Sequence, residues 1–175
     1  VRIDNFLPSK SKKLTGPLQI ATMRIDTDLV KVLTTQRSTT SSSSSKTSGA
    51  IVIIAGCRSP ITRAKNGSLK GIEADLLLSD VLKGLMSRVK VTHSTVSDIC
   101  VGNVLQPGGG AVMARMGMLE AGFPSSIPVS ATNRQCASGL QAFINIAGMI
   151  SSGAYDVGIA AGVESMSTCS MPSSS

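Results

Sequence analysis

The 175-residue chain has a formal net charge of +7, 42% hydrophobic residues, three Phe, one Tyr and no Trp. Residues 1–50 hold eight Lys/Arg against three Asp/Glu and residues 51–175 nine against seven, so the basic surplus belongs mainly to the amino-terminal segment. Basic residues are not interleaved with aromatic ones and no zinc-finger spacing or helix-turn-helix pattern is present, which argues against a nucleic-acid partner; no stretch reaches membrane-spanning length, which argues against a membrane one.

In chain order, residues 1–49 read as a leader plus flexible linker, because the Ser38–Ser45 tract cannot bury enough apolar surface to order itself. Val1 rather than Met stands first and Met23 is the first methionine, so Val1–Thr22 are candidates for sequence outside the mature protein. From residue 50 the composition changes to that of a layered domain. The apolar, β-branched run Ile51–Gly56 predicts a buried strand, broken at Arg58-Ser59-Pro60. Glu73–Arg88 predicts a helix with Leu76, Leu77, Val81, Leu82 and Leu85 on its stripe. Ile99–Leu105 predicts the second strand, and Pro107–Gly110 a turn; the glycine cluster lacks the Lys-Ser/Thr of a phosphate-binding loop and the spacing of a dinucleotide loop. Helix Ala111–Ala121, strand Ile127–Thr132, helix Ala137–Ser151 and strand Val157–Gly162 follow. This alternation implies an α/β fold with a largely parallel sheet and helical crossovers.

Four cysteines, Cys57, Cys100, Cys136 and Cys169, are widely spaced with no C-x-x-C pair, so no metal site is expected and a reduced compartment is the simplest reading. Cys136 alone stands at a strand-to-helix junction with only small residues behind it, Ala137-Ser138-Gly139. In the first turn of the helix its thiol would feel unpaired backbone N–H groups and the positive end of the peptide dipoles, both of which favour thiolate. On these residues alone a structural and a catalytic cysteine are equally open. His93, the one histidine, lies in a polar connection and reads as a solvated loop residue rather than a base for Cys136. The helix after Cys136 is apolar nearly all round from Leu140 to Ile150, the pattern of a helix buried on several sides.

Asn133-Arg134-Gln135-Cys136-Ala137-Ser138-Gly139-Leu140-Gln141-Ala142 resembles the nucleophile signature of thiolases, in particular 3-ketoacyl-CoA thiolases. Asp98-Ile99-Cys100-Val101-Gly102-Asn103-Val104-Leu105-Gln106-Pro107-Gly108 resembles the second strand and loop of that family, and Tyr155 through Ser167 the strand and loop after the nucleophile helix. The resemblance runs from about Ile51 to Met171. Arg24 through Val32 also resembles an amino-terminal peroxisomal address, from which Lys31 and Val32 depart; a leader of no specific address, or a mitochondrial one, is the alternative.

The resemblance implies the first half of a five-layer α/β/α/β/α sandwich, with the helix after Cys136 in the shared central layer. It implies Cys136 as the nucleophile that carries the acyl thioester, with its backbone N–H in an oxyanion hole, where a donor contributes about 3 kcal/mol to barrier reduction. The implied partners are 3-ketoacyl-CoA, CoA and acetyl-CoA, CoA being a substrate so that no cofactor is expected, and a homodimer for the full-length protein. The activating histidine and second cysteine of thiolases lie in Gly-His-Pro-like and Cys-x-Gly-Gly-like motifs, neither of which occurs in residues 1–175. The expectation is therefore an amino-terminal portion that cannot complete the chemistry alone. Two alternatives stand beside it: a biosynthetic acetoacetyl-CoA thiolase or related condensing enzyme, and a non-catalytic truncated product that associates with a full-length thiolase.

Overall fold

The computed structural model describes residues 51–169 in full and residues 30–35 by their backbone. Strand β1 is Val30–Thr35, β2 Ile51–Cys57, helix α1 Ala74–Met86, β3 Asp98–Gly102, α2 Ala111–Glu120, β4 Val129–Thr132, α3 Ser138–Ser151 and β5 Val157–Gly162. Two short 3₁₀ turns, His93–Thr95 and Pro107–Gly110, lie before β3 and α2.

The strands form one sheet in the order β2-β1-β5-β3-β4. β3 runs parallel to β4 and to β5, as the helical crossovers dictate. β1 is antiparallel to both β2 and β5 and lies between them. This strand falls within the segment expected as leader and linker, and those six residues depart from that expectation. It also takes in Val30, Lys31 and Val32 of the candidate address; the rest of that address, Arg24–Leu29, and the Ser38–Ser45 tract lie outside the described residues.

Successive side chains of a strand point to opposite faces, and this sheet is covered on both. Ile99, Val101, Ile159 and Ala161 face one side, where Leu78, Leu82 and Leu85 of α1 and Ala114 and Met118 of α2 pack on them. Cys100 and Ala160 face the other, beneath Ala142, Ile146 and Ile150 of α3. The layers are thus α1 and α2, the sheet, then α3. Leu78, Leu82 and Leu85 are almost fully buried, and each such side chain stabilises the fold by about 1.5–3 kcal/mol relative to exposure. The α1 stripe sits one step from the expected one: Leu76 is 46% exposed while Leu78 is buried. Gly117 sets how closely the two helices approach, since a Cβ there would stand 3.0 Å from Leu78 Cδ2.

Helix α3 covers its side of the sheet with one face only. Ser138, Ala142, Ile146 and Ile150 are buried, whereas Leu140, Ile144 and Met149 are 57%, 47% and 46% exposed. Burial on several sides, expected from the sequence, is not met by the described residues, because nothing among them packs on the outer face.

Candidate active site

The carboxyl ends of β3, β4 and β5 converge on the turn that carries Cys136. β4 ends at Thr132, whose carbonyl accepts the Asn103 N–H at 3.0 Å, tying the exit of β3 to that of β4. Gly102, the last residue of β3, has no room for a side chain: a Cβ would collide with the backbone of Ser138 and Gly139. The end of β3 therefore rests directly against the start of α3, just behind the cysteine.

Between β4 and α3 the backbone makes a tight turn through Gln135, which has φ +49. A non-glycine residue in that region is uncommon and is held there by its surroundings. Three side chains do so. Asn133 Oδ1 accepts the Gln135 N–H at 3.0 Å. The hydroxyl of Ser138, itself buried, accepts the Arg134 N–H at 2.9 Å and donates to the Gln135 carbonyl at 2.6 Å. Arg134 Nη1 donates to Gln141 Oε1 at 2.6 Å, fastening the turn to the next turn of helix. Cys136 emerges from this frame exposed to solvent as a free thiol.

The helix begins later than expected. Ala137 is its N-cap residue and Ser138 its first helical residue, so Cys136 precedes the cap instead of occupying the first turn. The two N–H groups next to it in the chain are already engaged, Ala137 with the Arg134 carbonyl and Ser138 with that of Gln135, at 3.1 and 3.0 Å. The N–H groups of Ala137 and Ser138 are thus not among the unpaired helix donors that the sequence suggested. Turn geometry and exposure distinguish Cys136 from the other cysteines.

Cys57 and Cys100 are buried and Cys169 is half-buried. Cys57 donates to the Val81 carbonyl at 3.3 Å, and burial pushes its thiol up, opposed by the charge of Arg88. Cys100 lies under the Asn145 amide, 3.8 Å away, and Cys169 donates to Gln106 Oε1 at 3.4 Å. His93 is half-buried rather than solvated, stacked edge-on against Phe123 with ring centroids 4.6 Å apart. It precedes β3 while Cys136 follows β4, and because these strands are parallel the two residues lie toward opposite ends of the sheet. No cluster of three or more His, Cys, Asp or Glu suited to a metal ion occurs among the described residues. A small, partly open pocket lined by Leu77, Leu78, Val81 and Glu164 does not include Cys136.

A second frame, absent from the sequence reading, adjoins the turn. Asn103 is buried and donates from Nδ2 to the Val163 carbonyl at 2.7 Å, while its Oδ1 accepts the Gln106 N–H at 3.0 Å. Glu164, just beyond β5, accepts the N–H groups of Val104 and Leu105 at 2.9 and 3.2 Å. The Val104 carbonyl in turn accepts Asn133 Nδ2 at 3.2 Å. Both Asn133 and Glu164 stand inside the motifs quoted above, but hydrogen bonds spanning 29 and 60 residues leave no periodic signal.

An exposed thiol on a stapled turn, at the carboxyl end of a parallel sheet with helices on both faces, defines an α/β domain with a candidate nucleophile at a strand-to-helix junction. Residues 51–175 match the family model of the thiolase amino-terminal domain, and the chain belongs to the thiolase family. It is 53% identical over 117 residues to peroxisomal 3-ketoacyl-CoA thiolase A of Rattus norvegicus, a match covering 67% of this chain and 27% of the relative. Among solved structures, the 2.8 Å peroxisomal 3-ketoacyl-CoA thiolase of Saccharomyces cerevisiae superposes with TM-score 0.61 and 35% identity, over 65% of this chain and 34% of that one. That enzyme is described as a five-layered structure built from two core domains of identical topology, and the three layers seen here form part of such an arrangement. The 1.8 Å dimeric peroxisomal thiolase of the same yeast superposes with TM-score 0.57 and 27% identity, over 85% of this chain and 35% of that one. The matched region thus spans about a quarter of the curated relative.

Proposed function

We propose that the chain is the amino-terminal part of a 3-ketoacyl-CoA thiolase and that Cys136 is its nucleophile. The observation that carries this reading is the exposure of Cys136 on a turn whose preceding residue, Gln135, is held in the left-handed region at the β4–α3 junction of the matched domain. In the reaction the Cys136 sulfur forms a bond to the 3-keto carbon and the C2–C3 bond breaks. Its electron pair goes to C2 of the departing acetyl-CoA, which takes up a proton. The sulfur of CoA then attacks the acyl thioester and frees Cys136. CoA is a substrate, and the scheme calls for no cofactor. The Cys136 N–H serves as one oxyanion donor.

The base and the second proton-transfer cysteine have no counterpart motif in residues 1–175, so the 175-residue chain alone should carry the nucleophile without turnover. A homodimer fits both the exposed outer face of α3 and the dimeric state named for the yeast relative. A peroxisomal location rests on the names of the relatives; a mitochondrial one remains the alternative.

The test is competitive labelling of the native chain with iodoacetamide near neutral pH, followed by peptide mapping. Cys136 should label ahead of Cys169, with Cys57 and Cys100 last. Labelling of Cys169 at an equal or greater rate would overturn the assignment of Cys136 as an accessible nucleophile.

A further inference from the structure

We propose that Glu164 is a positioning residue for Cys136, acting through the 103–106 loop and Asn133. The inference rests on the reading of Cys136 as nucleophile, and extends it to a carboxylate that does not itself touch the sulfur.

The connection is a series of hydrogen bonds that runs beside the Ser138 and Arg134 contacts on the same turn. Glu164 Oε2 accepts the Val104 N–H at 2.9 Å, and Oε1 accepts the Leu105 N–H at 3.2 Å and Asn103 Nδ2 at 3.3 Å. Three donors on one carboxylate fix the orientation of the Val104 peptide. The carbonyl of that residue accepts Asn133 Nδ2 at 3.2 Å, which decides which way the Asn133 amide faces. With its nitrogen committed to Val104, Asn133 presents Oδ1 to the Gln135 N–H at 3.0 Å. Gln135 is thereby held at φ +49, and Cys136 is the next residue.

The chemistry of the ends explains the residue types. A carboxylate has two oxygens and no donor, so it can take all three N–H groups at once. A glutamine offers one acceptor oxygen and turns an NH₂ toward a backbone N–H, which is repulsive. The asparagine must donate at one end and accept at the other, so aspartate could keep the bond to Gln135 but not the one to Val104. The path also joins the exits of β5, β3 and β4, which places the turn relative to the sheet as a whole.

The experiment uses the full 175-residue chain and four forms: wild type, Glu164→Gln, Asn133→Asp, and the double variant. Each is labelled with iodoacetamide, and Cys136 is quantified against Cys57, Cys100 and Cys169 in the same digest. Glu164→Gln should slow Cys136 by about fivefold, the factor one net hydrogen bond is worth, while the two buried cysteines keep their rates. Asn133→Asp cuts the path downstream, so adding Glu164→Gln to it should change the Cys136 rate no further. The proposal is overturned if Glu164→Gln leaves Cys136 unchanged or faster, if Cys57 and Cys100 shift in parallel as in general loosening, or if the two effects multiply in the double variant. Failure of the nucleophile reading is separately visible, because it appears in the wild-type ranking of Cys136 against Cys169 before any substitution is made.

Discussion

Arg115 holds the carbonyl of Ile127 at 2.7 Å through Nη1 and that of Ser125 at 2.6 Å through Nη2. One guanidinium on α2 thus fixes the turn that feeds β4, and through β4 the approach to Cys136. The planar fork suits two carbonyls at once, which an ammonium or an apolar side chain cannot reproduce. Arg115→Met should lower stability by about 2 kcal/mol, the scale of hydrogen bonds to a charged group. Urea unfolding followed by far-UV circular dichroism reads this directly, and an unchanged midpoint would show that the 121–128 turn holds itself.

Tyr155 donates its hydroxyl to Asp98 Oδ2 at 3.1 Å, joining the approach to β5 with the start of β3. Burial first, and then the neighbouring Asp98 carboxylate, push the phenol well above its ordinary value of 10.0. A phenol is neutral when protonated, so the native state keeps a proton that the unfolded chain releases. The stability this contributes is complete below the ordinary phenol value and is lost as pH rises beyond it toward the native one. Wild type should therefore lose stability above about pH 10 more steeply than Tyr155→Phe. Parallel curves for the two proteins would remove Tyr155 as the group responsible.

Two glycines on or beside α3 should respond to alanine in opposite directions. At Gly102 the added Cβ meets the backbone of Ser138 and Gly139, so one of the two segments must shift. Overpacking of this kind costs about 1–3 kcal/mol, and the labelling rate of Cys136 should change with it. At Gly148, within α3, a Cβ meets nothing within 4 Å, and the helix should gain about 0.5–1 kcal/mol. Thermal melts of Gly102→Ala and Gly148→Ala compare them, and destabilisation by both would mean that α3 does not sit on β3 as described.

Legibility from the sequence followed the range of the forces involved. The sequence predicts β5 to the residue, and α2 to within one, because apolar runs bounded by Gly or Pro carry their own ends. In α1 the run Leu76-Leu77-Leu78 offers three adjacent apolar residues, and periodicity could not say that Leu78 rather than Leu76 faces Gly117 of α2. β1 has no such signature, since its place depends on pairing with β2 and β5, far apart in the chain. The Cys136 junction was visible in the pattern of strand, small residues and helix. Its supports were not: Asn103, Asn133 and Glu164 act through hydrogen bonds between distant segments, and the left-handed Gln135 is a conformation that its residue type disfavours. The sequence predicts the helix from Ala137 with Cys136 at its first turn, while the Ser138 hydroxyl, bonded back into the turn, accompanies a helix start at Ser138.

The outer face of α3 leads to the last prediction. Leu140, Ile144 and Met149 stand exposed, Phe143 and Ala147 are partly buried, and Ile150 lies against the sheet. Contiguous apolar patches beyond a few hundred Å² are rare on soluble monomers, and water is displaced from such a face by any apolar surface that fits it. The chain should therefore self-associate at micromolar concentration, or join a full-length thiolase when mixed with one. Because Leu140 and Ile144 are largely exposed, Leu140→Lys with Ile144→Lys should weaken association while leaving the melting transition close to that of the wild type. Light scattering over a dilution series reads both proteins. A wild-type chain that stays monodisperse and melts cooperatively as a monomer would show that this face needs no cover, and would remove the main physical reason for pairing the domain with a second one.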